Sequence, residues 1–440
     1  MKPIQVGLLG IGTVGSGVFK VLARNQSEIK RRAGRGIEIA EVAARQIDKV
    51  RAVVGSEMKI VANPMDVVNN PNIDIVVEVI GGTTLAKDLV LQAIANGKHV
   101  VTANKALLAE FGNEIFAAAH AKGVMVAFEG AVAVSIPIIK ALREGLSGNR
   151  IEWVAGIING TTNFILTEMR DKGLSFDAAL KDAQRLGYAE ADPTFDIEGM
   201  DAAHKATILS SIAFGIPVQF GKAYVEGITK LDAIDIAYAF QLGYRIKLLG
   251  ITKRTAKGIE LRIHPTLIPV KRLLASVEGS MNGIMVKSDA AGITMYYGAG
   301  AGSEQTASAV IADLVDVTRL HTADPAHRVP HLAFQPNAMS DLQVLPMSDI
   351  VTSYYLRLRV ADEAGVLAKV TGILANAGIS IDAVLQREAD EVGGEGSTQT
   401  DVIILTHDCV ESKMNSAMAQ MQALSSVLAP ITRIRKEELA

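Results

Sequence analysis

A short apolar run, Ile4 to Leu9, ends on Gly10-Ile11-Gly12-Thr13-Val14-Gly15, and an apolar 3.6-residue pattern (Val14, Val18, Val21, Leu22) follows at once. Strand, G-x-G-x-x-G and helix in that order leave a chain few choices. The first glycine permits the tight turn, the second lets a pyrophosphate approach the backbone, and the third lets helix and strand pack closely. The phosphate then meets free N–H groups at the positive helix end. The pattern predicts a mostly parallel, doubly wound sheet at the N-terminus. It assigns dinucleotide contact to Gly10, Ile11, Gly12, Thr13, Val14 and Gly15.

The stretches that follow fit such a sheet. Ile37 to Ala44 reads as a second strand, and its end carries Arg45, then Asp48, Lys49 and Arg51. An NAD-reading fold places an acid there for the ribose hydroxyls, whereas a cation suits a 2′-phosphate. Arg45 therefore points to NADP, with NAD open. Ile73 to Ile80 is a β-rich run ending on Gly81-Gly82-Thr83-Thr84, at the carboxyl end of a strand, where open α/β sheets bind ligands. Ala86 to Asn96 reads as a helix capped by Gly97, and His99 to Thr102 as a strand followed by Lys105, by position either a solvated lysine or one that faces nicotinamide and substrate. Val124 to Phe128 is a further strand, after which Glu129 to Pro137 opens the next segment.

Ile151 to Ile158 reads as a strand ending in Asn159-Gly160-Thr161-Thr162-Asn163, a small polar loop suited either to a substrate or to a capped turn. Ala183 to Lys205 is densely acidic, with Glu190, Asp192, Asp196, Glu198 and Asp201, and it ends on a lysine. Such runs are commonly solvated loops. Here Asp192-Pro193 marks a turn, and the run from Gly199 passes directly into the apolar helix Ala206 to Phe214. Asp201 and Lys205 then stand at i and i+4 on one helix face. Leu261 to Leu267 and Gly283 to Lys287 read as strands under helices. Gly298-Ala299-Gly300-Ala301-Gly302 opens a helix, Thr306 to Leu320, returning to the nucleotide domain. Residues 321–350 read as a linker, and their three histidines, His321, His327 and His331, lack helical metal-ligand spacing. From Thr352 the order βαββαβ predicts a ferredoxin-like module standing alone beyond that linker.

At 440 residues the chain has room for two or three domains. A formal net charge of −3 gives no electrostatic argument for nucleic acid or a membrane surface. No apolar run reaches the roughly 18 residues of a membrane helix. The single cysteine, Cys409, excludes an intrachain disulfide, suits a reducing, cytoplasmic setting, and lies in the tail, far from any thioester chemistry.

Ala183, Gly187, Tyr188, Ala189, Asp192-Pro193, Asp196-Ile197, Gly199, Asp201 and Lys205 together resemble the homoserine dehydrogenase signature. GLLGIGTVG, VTANKALLA, GIINGTTNFIL and GAGAG…TASAV extend the resemblance over about residues 1–335, and YYLRLRVADEAGVLAKVTGILANAGISI resembles an ACT domain. The resemblance implies an α/β chain in three parts. These are a Rossmann domain over 1–130 completed by 300–335, an α+β catalytic and dimerisation domain over 131–300, and, after a linker at 336–351, an ACT domain over 352–440. It implies NAD(P)H-dependent reduction of L-aspartate 4-semialdehyde to L-homoserine, towards threonine and methionine.

Residue by residue, Lys205 would be the catalytic lysine and Lys105 the second one. Glu190 and Asp201 would hold the substrate, and Thr83, Gly187 and Gly302 would join the cofactor contacts. Glu129 with the carbonyls of Val132, Val134 and Ile136 would form a sodium site. Asp192, Asp196 and Glu198 would be turn formers whose charges raise the pKa of Lys205. The tail would bind threonine near Gly365-Val366 and Asn376 to Ile379 in a homodimer or homotetramer, and its deletion would leave activity intact. The sequence departs from the family at Val134-Ser135 (commonly two glycines), Gln305 (commonly proline), Gln46 (often aspartate) and Ala364 (commonly proline). A competing reading is a non-catalytic amino-acid sensor with a relic nucleotide domain. The intact Glu190, Asp201 and Lys205 set speaks against it.

Overall fold

Six short strands form a parallel sheet in a computed structural model that describes residues 1–387, 392 and 398–440. They are β1 (Ile4–Leu9), β2 (Ile37–Ala43), β3 (Lys59–Val61), β4 (Ile75–Glu78), β5 (His99–Thr102) and β6 (Val126–Ala127). Their spatial order, β3-β2-β1-β4-β5-β6, reverses direction beside β1, which creates the crevice where such sheets take ligands. Gly10 sits at φ 95°, and a Cβ on Gly15 would lie 2.1 Å from the Gly10 carbonyl oxygen. The glycine spacing is thus enforced by the close seating of the Thr13–Arg24 helix. The Ser303–Leu320 helix lies against it: Ser303 Oγ donates to the Thr13 carbonyl at 2.5 Å, and Arg24 pairs with Glu304 at 2.8 Å.

A second sheet is built from β7 (Ile151–Ile157), β8 (Tyr224–Val225), β9 (Tyr244–Arg254), β10 (Ile259–Pro269), β11 (Met281–Ser288) and β12 (Gly292–Ala299). The main path runs β12-β11-β7-β9-β10, with β8 beside β10. β9 carries no recognisable signal in the sequence, yet it pairs with β10 along its full length. Seven consecutive residues of β9 are buried, so the period-2 alternation that reveals a half-exposed strand is absent. The Met200–Phe214 helix packs on this sheet and is buried from Asp201 to Phe214, its polar residues included, so no solvent-facing polar stripe marks it.

The tail comprises β13 (Val351–Ala361), β14 (Ile381–Gln386), β15 (Gln399–Thr406), β16 (Cys409–Val410) and β17 (Thr432–Lys436), with helices Val366–Asn376 and Glu411–Gln422. It does not stand alone. β17 pairs with β13 on one side and with β10 on the other, in register Thr266↔Arg435 and Leu267↔Lys436. The two sheets therefore continue as one path, β12-β11-β7-β9-β10-β17-β13-β15-β14. Removing the tail would uncover an edge of β10, so deletion is not the neutral operation the sequence suggests.

Residues 321–350 are likewise more than a tether. Val344 bridges to Ile259, and Leu332 and Val344 are buried. A Cβ on Gly215 would strike the Phe334 ring at 2.6 Å. His331 Nε2 accepts from the Val126 N–H at 3.1 Å and stacks on Phe116, while His321 meets His99 edge-on. These two histidines are packing and capping groups. No helix among the described residues is long and apolar enough to cross a membrane.

Candidate active site

A cleft of about 600 Å³ opens between the two sheets. It collects Thr13, Val14, Lys105, Gly187, Glu190, Asp201, Lys205 and Gly302, residues scattered over most of the chain. A second cleft of about 560 Å³ lies over the carboxyl edge of the parallel sheet and is lined by Gly10, Ile11, Gly12, Arg45, Gln46 and Lys49. Thr83 begins the next helix, half-buried, outside the residues lining either cleft.

The second cleft suits a dinucleotide phosphate. Nothing lies within 4 Å of where a Gly12 Cβ would be, and the Thr13–Arg24 helix starts there with no side-chain cap and no acidic residue in its first turn. Its first N–H groups therefore keep their capacity to bind an anion. Arg45 and Lys49 add positive charge, and no carboxylate lines this cleft.

In the first cleft the helix and two loops converge on one carboxylate. Lys205 Nζ donates to Asp201 Oδ2 at 2.6 Å and to the Ile158 carbonyl at 2.8 Å. Lys105 Nζ lies 3.1 Å from Asp201 Oδ1. Asn159 Nδ2 donates to Asp201 Oδ2 at 2.9 Å and to Asp196 Oδ1 at 2.7 Å. The local sequence explains each placement. Asn104 caps the Lys105–Lys122 helix by accepting from the Leu107 N–H, which puts Lys105 in its first turn. A lysine there opposes the helix dipole, and Asp201 offsets that. Asn159 caps the Gly160–Lys172 helix and turns its amide NH₂ to the two aspartates. The sequence marks the Asn159 loop as polar but not as the clamp between Asp196 and Asp201.

The electrostatics follow from burial and from two cations sharing one anion. Burial pushes the Asp201 carboxyl up, but the ammonium groups of Lys205 and Lys105 outweigh it and hold Asp201 well below the usual carboxylate range. Burial lowers the Lys205 ammonium, Asp201 raises it, Lys105 lowers it again, and the net direction is down. The expected upward tuning by the acidic run is thereby corrected. Asp196 does act upwards, but desolvation exceeds it. Burial and the neighbouring Asp201 charge raise Asp196 itself. Glu190 is the exposed carboxylate of the cleft.

The glycines of the 298–302 loop serve close packing within the protein. A Cβ on Gly298 would meet Ser135 Oγ at 2.6 Å, one on Gly300 the Asn282 amide at 2.2 Å, and one on Gly302 the Gln305 amide at 2.1 Å. Gln305, a departure from the family pattern, thus lies over Gly302, whose φ is 137°. At the Val134-Ser135 departure, neither residue needs a glycine conformation. Ala133 takes the positive φ, 51°, and Ser135 Oγ donates to the Ala299 carbonyl at 2.6 Å. Glu129 is buried behind this loop and accepts from the N–H groups of Ile139 and Lys140. Burial and the nearby Asp313 carboxylate raise its carboxyl to about 8.

An anion-binding glycine turn in one cleft and paired lysines beside the next define a nucleotide-dependent oxidoreductase of the Rossmann class. The models for the homoserine dehydrogenase NAD-binding domain, homoserine dehydrogenase and the ACT domain match residues 10–129, 137–315 and 354–424. The homoserine dehydrogenase of Pseudomonas aeruginosa is 60% identical over 100% of both chains, and that of Neisseria gonorrhoeae 56% over the same span. The crystal structure of a homoserine dehydrogenase from Thiobacillus denitrificans superposes with a TM-score of 0.95 at 64% identity, covering 100% of this chain and 99% of that one. A hyperthermophilic archaeal homoserine dehydrogenase in complex with NADPH matches 73% of this chain with 99% of its own, at TM-score 0.62 and 26% identity. The chain belongs to the homoserine dehydrogenase family, and its activity is that of a homoserine dehydrogenase.

Proposed function

We propose that the chain reduces L-aspartate 4-semialdehyde to L-homoserine with Lys205 as proton donor and Lys105 as electrostatic partner. The observation that carries this is the sharing of Asp201 by two ammonium groups beside the cleft. When bound, the nicotinamide supplies the hydride. The protein must then stabilise and protonate an alkoxide, and a cluster with one positive charge in excess of its anchoring carboxylate does both. Burial lowers Lys205, which makes its proton easier to release. Asp201 is already engaged by Lys205, Lys105 and Asn159, so its role is to position the lysines. The exposed Glu190 is left to hold the substrate ammonium.

Arg45 and Lys49 favour NADP over NAD through the 2′-phosphate. Glu129 with the carbonyls of Val132, Val134 and Ile136 offers a hard-oxygen set for sodium. A buried carboxylate raised to about 8 is one whose anionic form a cation would stabilise. For regulation, a cavity of about 330 Å³ includes Asp362, Glu363, Gly365 and Val366 but not Asn376 to Ile379. Gly365, at φ 88°, begins the Val366–Asn376 helix with no side-chain cap. An uncapped helix start beside two acids suits the carboxylate and ammonium of threonine, the proposed feedback inhibitor of a homo-oligomer in the cytoplasm. The test is absorbance at the nicotinamide band with L-homoserine and either NADP or NAD, with and without threonine. Faster turnover with NADP and inhibition by threonine are expected. Absence of turnover with both cofactors would overturn the reading.

A further inference from the structure

Between the tail and the catalytic helix lies a continuous set of polar contacts that the chemistry above does not use. Arg435, on β17, is 1% exposed. Its guanidinium grips Glu411 of the tail with Nε and Nη2. The same group reaches out of the tail, donating to Glu226 Oε2 at 2.8 Å and to Tyr224 Oη at 3.1 Å. Tyr224 Oη in turn donates to Glu226 Oε2 at 2.8 Å, and the Arg435 guanidinium lies 4.8 Å from the Tyr224 ring centre. Four of the five guanidinium N–H groups are thus engaged, two by the tail and two by the β8 segment.

The β8 segment is also the seat of the acidic loop. The Glu226 N–H donates to the Ile263 carbonyl at 2.8 Å, and the Ile228 N–H donates to the Ile197 carbonyl at 2.8 Å. A Cβ on Gly227 would lie 2.3 Å from the Ile197 carbonyl oxygen, so the two backbones are in direct contact. Gly199, at φ 84°, begins the catalytic helix, and a Cβ there would meet Val225 and Ile263 at 3.2 and 3.3 Å. Asp201 is two residues further on, and Lys205 one turn beyond.

We infer that Arg435 is a positioning residue for the reaction: by holding Glu226 and Tyr224 it fixes the seat of the Gly199 helix start and hence the Asp201–Lys205 pair. Its effect on the site is indirect, since it touches neither cleft. The same contact gives the tail a mechanical hold on the catalytic helix. That second consequence rests on the proposed regulation by threonine.

The test weakens the link while sparing the tail. In Glu226→Gln with Tyr224→Phe, Arg435 keeps its Glu411 pair, and the Glu226 side chain is 31% exposed, so no buried charge is abandoned. In the full-length protein, kcat is expected to fall roughly fivefold, a coupling at the lower end for linked sites. KM for the dinucleotide should stay unchanged, and the pH dependence of kcat should shift as Lys205 moves relative to Asp201. Arg435→Lys should restore part of the loss seen in Arg435→Met, because an ammonium still pairs with one carboxylate. A kcat and pH profile identical to the parent in the double variant would overturn the assignment. So would a loss that disappears when rates are normalised to folded protein. These arms use no effector. The threonine arm is read separately, by calorimetry and inhibition in the same double variant. Retained binding with lost inhibition extends the hold to regulation, and retained inhibition refutes that extension. Failure of the parent to bind threonine would overturn the regulatory reading and leave the positioning role standing on its kinetics.

Discussion

Two of the buried charge clusters among the described residues are built to opposite ends. In the joint between tail and catalytic domain, carboxylates and guanidinium groups are matched. Asp235 receives both Arg357 Nε and Nη2 and the Tyr355 hydroxyl, Asp401 receives Arg359 and Tyr238, and Glu411 receives Arg435, Arg433 and Tyr354. Burial alone would lower Arg357 and raise Glu411, but the matched partners reverse both, and each group is held in its charged form. In the active site two ammonium groups share Asp201. There burial prevails over pairing at Lys205, whose affinity for its proton is weakened. Pairing that outweighs burial holds parts in register, and a lysine at which burial outweighs pairing is left free for chemistry.

Breaking the second cluster should have the larger effect on rate. Lys205→Ala is expected to reduce turnover by about 10²–10⁴, the range for a general acid, while dinucleotide binding followed by fluorescence stays near normal. With Lys205 as the proposed proton donor, the reductive rate of the unmodified enzyme depends on the protonated lysine. It should fall as pH rises through the lowered Lys205 pKa, and the oxidative rate should rise over the same interval. Loss of dinucleotide affinity in Lys205→Ala would move the lysine to a binding role.

Breaking the first cluster should act on stability. Asp235→Ala strands Arg357 and Tyr355 beside a vacated position, at a cost of about 3–5 kcal/mol read from the denaturation midpoint. Asp235→Asn should recover part of it by keeping the Tyr355 hydrogen bond. A midpoint unchanged in Asp235→Ala would remove the contrast between the clusters.

A third test concerns Glu129, a buried carboxyl outside both clusters. Its carboxyl is raised from 4.5 to about 8 in the folded chain, so between those values the folded state holds a proton that the unfolded state has released. Its contribution to stability is full below about pH 4.5, declines as pH rises, and is gone above about pH 8. Sodium should flatten this decline in the parent protein, and Glu129→Gln should abolish both the decline and the sodium effect in melts across pH. A sodium response that persists in Glu129→Gln would place the ion elsewhere.

Local chemistry made much of this legible beforehand. The G-x-G-x-x-G turn depends on glycine conformations and on one strand and one helix, all contiguous, so six consecutive residues suffice to specify it. Asp201 and Lys205 are one turn apart, so helical periodicity alone brings them together. The tail's strands and helices alternate with turns that the residues announce. Other features had no such signal. β9 is buried on both faces and carries no alternation. Asn159 reads as an ordinary helix cap, and its second function arises only because residues 37 and 42 positions away fold against it.

The sequence by itself thus determined the class of the nucleotide fold, the place of Lys205 on its helix, and the βαββαβ order of the tail. Each follows from neighbours along the chain. The tertiary structure decided the sign of the Lys205 shift, the sharing of Asp201 with Lys105, and the fusion of two sheets through β17. Those depend on desolvation and on which distant carboxylate faces which cation, quantities set by packing in three dimensions.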